Sequence, residues 1–166
     1  MVVVDSSALI PLAWVGRLDL IKTTVDDVRT TEAVREEVLV EGKRGTTLLD
    51  AFLEDVTVYA PPPDAEEVAA LAGIAVADAS VLLVADDHDD VLLANDKGLV
   101  EAARNHGIDC WWVTTLLLAC ANNGTVTGSE AADILYDLVD EGMNLHPKVY
   151  AKLQRELEGI DDRPET

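Results

Sequence analysis

Three consecutive valines, Val2-Val3-Val4, run directly into Asp5-Ser6-Ser7. A β-branched run with no polar alternation suits a strand buried on both faces, which is the interior strand of a parallel sheet. The Asp and Ser oxygens that follow are those that accept from the unpaired N–H groups of a helix start. A buried strand turning straight into a capped helix is the building unit of open α/β sheets. Such sheets gather their chemistry outside the carboxyl ends of their strands. Asp5 is thus open to two readings, a helix cap or a reactive carboxylate at that edge.

The chain then keeps alternating. Helical patterns are expected over residues 7–15, with Pro11 tolerated near the start, and over 18–23. Further helices are expected over 31–40, 46–53, 64–72 and 78–86, over a segment ending at His106, and over 115–121, 129–141 and 146–158. Short runs at 56–59, 91–94 and 110–113 read as strands, and 27–30 is a short strand candidate. Strand and helix in turn predict an α/β fold, a parallel sheet with helices on both faces. With 166 residues the expectation is one domain over 1–160 that includes two C-terminal helices, and a frayed tail over 161–166. Pro61-Pro62-Pro63 is a stiff connector, too short to divide domains.

Nearly half the residues are apolar, which fits a packed chain and not a disordered one. No apolar run approaches a membrane span, and no basic flank marks a signal peptide, so a cytoplasmic protein without a membrane partner is expected. Cys110 and Cys120 fit no metal-ligand spacing and read as reduced core residues. Acids outnumber bases 32 to 12, a net charge of −20 spread along the chain. Self-repulsion on that scale costs stability in dilute salt. It suits a salty cell interior, such as that of a halophilic archaeon, where screening is strong. The same charge argues against a nucleic-acid partner at low salt, but molar salt erases long-range fields and leaves close contacts to decide.

Four acids stand at positions that parallel topology brings to one edge. Asp5 and Asp96 each follow a strand, and Glu37 lies in the helix after the second strand, beside the Val34 and Val38 stripe, while Glu36 points away. Asp78 shares a helix face with Val81, Leu82 and Ala85, a carboxylate set among residues patterned for burial. Each acid alone also reads as a cap or a surface group. Together in one cleft they could not all stay ionised without a cation, and hard oxygen donors suit Mg²⁺ or Mn²⁺. The run Asp86-Asp87-His88-Asp89-Asp90 looks like a metal site but precedes a strand, so it reads as a solvated loop at the opposite edge.

These stretches resemble the PIN domains, and among them the VapC-like toxin ribonucleases. Residues 2–10 are similar to the family's opening of apolar strand, Asp, hydroxyl pair and Leu. Residues 31–38 resemble its second motif, whose acid precedes an aliphatic residue and so selects Glu37. Residues 78–85 and 92–97 resemble its third and fourth motifs, with Ala94 where many relatives carry threonine. The resemblance implies a three-layer α/β/α sandwich with a sheet of five strands in the order 3-2-1-4-5. It also implies Mg²⁺- or Mn²⁺-dependent cleavage of RNA by Asp5, Glu37, Asp78 and Asp96. An antitoxin partner and a homodimer come with it. Ser7 is a candidate support for the ligands and Lys97 for a substrate phosphate. The competing expectation is a non-catalytic module of the same fold that binds a protein or RNA without cutting it.

Overall fold

The structure is a computed structural model that describes residues 1–164. Strands β1 (Val2–Val4), β2 (Val28–Thr31), β3 (Thr57–Tyr59), β4 (Val91–Leu93) and β5 (Cys110–Trp111) form one parallel sheet in the order β3-β2-β1-β4-β5. This is the expected order. Val2 pairs with Val28 on one side and Val91 on the other, so the valine strand is central and the winding reverses beside it. Val3 and Val4 are wholly buried, and each such valine contributes about 1.5–3 kcal/mol.

The helices are α1 (Ser6–Trp14), α2 (Asp19–Thr24), α3 (Glu32–Val38), α4 (Thr46–Leu53), α5 (Ala65–Ala72), α6 (Val76–His88), α7 (Lys97–Asn105), α8 (Val113–Asn122), α9 (Gly128–Asp140) and α10 (Pro147–Asp161). They flank the sheet as the α/β reading requires. Helix α6 packs across β1, β2 and β4 and is the central helix of its layer. No single helix among the described residues is long and apolar enough to cross a membrane.

Several boundaries differ from expectation. Helix α6 begins at Val76 and runs to His88, so Asp78 lies in its first turn without capping it. The acidic run is therefore not a loop. Its first residues finish α6, Asp89 closes the helix in the left-handed region (φ 53°), and Asp90 is buried in an ion pair with Arg29 at 3.2 Å. That run does lie at the amino edge, as its place before β4 requires. Pro11 stands sixth in α1, beyond the first turn, and leaves Ser7's carbonyl without its helical donor. The last strand stops at Trp111, because Trp112 already caps α8. Cys120 is buried against Thr24, with Sγ 2.9 Å from Oγ1, whereas Cys110 is only partly buried.

The tail is also better held than expected. Asp161 ends α10, and its carboxylate accepts from the N–H groups of Gly128 and Ser129 at 2.6 and 2.8 Å. It thereby caps α9 from a distant part of the chain. Residues 165 and 166 lie outside the described residues.

Candidate functional site

Asp5 sits at the carboxyl end of the central strand and is 1% exposed. Its Oδ2 accepts from the backbone N–H and the hydroxyl of Ser7, at 3.1 and 2.5 Å, so it does cap α1. Ser7 Oγ in turn accepts from the backbone N–H of Asn95 at 2.9 Å. One hydroxyl therefore ties the junction after β1 to the junction after β4. Asp5 Oδ1 has no partner, although it is buried. A bare buried oxygen costs about 1–3 kcal/mol, and more when charged. Burial pushes the Asp5 carboxyl up, and it outweighs the two hydrogen bonds from Ser7 that favour the ionised form. The nearby charge of Glu37 adds to the rise.

Asp78 projects from the first turn of α6, where a helix start favours negative charge. That preference loses. Partial burial, then the charges of Asp5, Asp96 and Glu37, push its carboxyl up to about 7. The four sequence-selected acids thus lie in one electrostatic neighbourhood. Asp96 is exposed at the start of α7 and caps it through Oδ1, which accepts from Leu99 N–H at 2.9 Å. Glu37 is exposed near the end of α3 and borders a hollow of about 310 Å³ with Ile10, Trp14 and Leu49. Glu36 lines a different hollow with Glu32 and Arg35, so the choice between the two glutamates follows the helix period. Among the described residues, no three His, Cys, Asp or Glu side chains are close enough to grip one ion as they stand. Asp96 and Glu37 border different hollows.

The donor set nevertheless fits a hard divalent cation. Carboxylate oxygens are its natural ligands. The orphaned Asp5 Oδ1 and the raised Asp5 and Asp78 carboxyls both mark a place that lacks positive charge. Lys97 lies next to Asp96 but is mostly in solvent, 4.0 Å from Glu101.

Three buried hydroxyls hold the elements that carry these acids. Thr30 Oγ1 donates to the Val4 carbonyl at 2.8 Å, just before Asp5. Thr31 Oγ1 lies 2.8 Å from Ser80 Oγ and accepts from Val34 N–H, which caps α3. Ser80 Oγ donates to the Ala77 carbonyl at 2.6 Å, one residue before Asp78. This network links β1, β2, α3 and α6. Sequence reasoning passed over it, although two threonines at the carboxyl end of a buried strand were a usable sign. Asn95, the cap residue Trp112 and His146 also border this edge, in a groove of about 900 Å³. A smaller hollow beside Met1 and Asp27 lies at the amino edge, across the sheet from the carboxylates.

Residues 1–159 match the family model described as DUF3368: PIN domain. Among solved structures, PAE2754 from Pyrobaculum aerophilum is 24% identical with a TM-score of 0.56, over 72% of this chain and 96% of that one. FitAcB from Neisseria gonorrhoeae is 17% identical with a TM-score of 0.42, over 67% and 96%. FitAB bound to an IR36 DNA fragment is 18% identical with a TM-score of 0.43, over 68% and 95%. The first of these likenesses bears on the fold alone. Among curated proteins there is no match.

Proposed function

The chain belongs to the PIN domain family, and from that premise we propose that it is a metal-dependent endoribonuclease, the toxin half of a toxin–antitoxin pair. The observation that carries this reading is the unpartnered, buried Oδ1 of Asp5 set in the field of three other carboxylates. Asp5, Glu37, Asp78 and Asp96 are the residues that would hold Mg²⁺ or Mn²⁺. When bound, the cation supplies Lewis-acid activation of a water and of the scissile RNA phosphodiester. Ser7 fixes the rotamer of Asp5 and the distance to the β4 junction, a positioning role. Below about pH 7 the Asp78 carboxyl holds a proton, which a bound cation would displace. Ala94 is buried at the edge and brings no polar group there, and Asn95 supplies some of that polarity.

The partners follow from the surface. The hollow beside Glu37 has an apolar lining from Ile10, Trp14, Val38 and Leu49 and a rim of Lys43 and Arg44, which suits a segment of a small antitoxin. The elbow between α5 and α6 leaves Leu71 82% and Val76 46% exposed, apolar surface that a second copy would cover. The acid excess is read as adaptation to a salty cytoplasm. The test is cleavage of RNA in molar KCl with Mg²⁺ or Mn²⁺. The parent is expected to cut, and Asp5→Asn to lose at least about a hundredfold in rate while staying folded, since Asn caps α1 as well as Asp does. Equal cleavage by Asp5→Asn would place the activity elsewhere.

A further inference from the structure

We propose that the 900 Å³ groove next to Asp96 is the subsite for an unpaired RNA base flanking the cleaved phosphate, with Trp112 as its stacking platform. This rests on the ribonuclease reading and adds to it where the strand lies. The groove is built from three separate junctions: Asn95, Asp96 and Lys97 after β4, Trp112 after β5, and His146 and Val149 where α9 turns into α10. Asp96 lines the groove, and its charge is felt by Asp78.

The groove carries little of the chain's excess negative charge. Asp96 is the one acid among its lining residues, on a chain carrying 32. Its other charged residue is Lys97, whose contact with Glu101 is an exposed pair at 4.0 Å and therefore weak. Lys97 is free to swing to a phosphate. Three helices also begin here, capped by Asp96, Trp112 and His146. A helix start favours negative charge nearby.

Trp112 points to a base and not merely to a phosphate. A helix cap position normally takes Ser, Thr, Asp or Asn, and Trp offers no oxygen to the helix. The cap is made the other way round: Trp112 N–H donates to Thr115 Oγ1 at 3.3 Å, which fixes the backbone that carries the indole. The side chain is only partly buried and borders the groove. An aromatic side chain on a fixed backbone beside a cleavage centre is what base stacking uses, and stacking needs an unpaired base. Stacking also survives the salt that screens phosphate contacts, so it is the contact that still works for a chain of this charge.

The experiment uses the parent protein and its Trp112→Phe and Trp112→Ala forms. Anisotropy of a labelled single-stranded oligoribonucleotide is followed in molar KCl with Ca²⁺, which takes the same oxygen ligands but acidifies water too little for turnover, beside the same oligomer made of abasic residues. Trp112→Ala is expected to weaken binding about 5- to 100-fold and Trp112→Phe by less than about threefold, with equal melting curves. The abasic oligomer should bind all three proteins alike and weakly. Equal affinity of the Ala and Phe forms for the intact oligomer overturns the stacking subsite and leaves the ribonuclease reading standing. No binding of either oligomer by any form overturns both.

Discussion

At the scale of single residues, Asp5 caps a helix with one oxygen and leaves the other open to a ligand. Its Oδ2 is spent on the helix and its Oδ1 is left bare. Asp78 carries the titration consequence. Its carboxyl ionises near 7 in the folded chain, above the ordinary value of 3.8 that the unfolded chain should show. Between those values the folded state holds more protons than the unfolded, so stability falls as pH rises through that window. Urea midpoints of the metal-free protein in molar KCl should drop from pH 4 to 8, more steeply in the parent than in Asp78→Asn. The variant should match the parent near pH 4 and exceed it at pH 8. Parallel curves would mean that Asp78 titrates normally.

At the scale of elements, what was legible followed from periodicity and from the order of strands and acids. Val2-Val3-Val4 announced a central strand, and the i, i+4 pair Val34 and Val38 set Glu37 apart from Glu36. What stayed hidden depended on contacts distant in sequence. The two extra residues at each end of α6 are not patterned locally: Asp89 can close the helix in the left-handed region, as Asp tolerates, while Asp90 is drawn inward by Arg29 from another strand. The capping of α9 by Asp161 joins residues more than thirty apart and has no local signature. The groove beside Asp96 was invisible for the same reason, since its walls come from three junctions. The α9–α10 pairing that supports it has a tight point. A Cβ on Gly128 would lie 1.9 Å from the Leu157 carbonyl oxygen, so the backbones must part to admit one. Gly128→Ala should cost about 1–3 kcal/mol in urea unfolding. A cost under a few tenths would show that the two helices do not pack as described.

At the scale of the whole molecule, the charge sets the conditions under which everything else works. With −20 on 166 residues, raising KCl from about 0.1 to about 1 M shortens the screening length from about 10 to about 3 Å. The thermal midpoint should rise over that range and rise less with an equal osmolality of sucrose. No salt-specific gain would show that self-repulsion does not limit the stability of this chain. The central claim is that the carboxylates gathered at the edge of the central strand form a divalent cation site. Calorimetric titration of Mn²⁺ in molar KCl at pH 6, in two buffers of different ionisation heat, tests it most directly. Saturable binding that releases protons is expected, because a bound cation would displace the proton Asp78 holds below its value near 7. Asp5→Asn should lose that binding. No saturable heat in the parent, or equal heat in Asp5→Asn, would contradict the account.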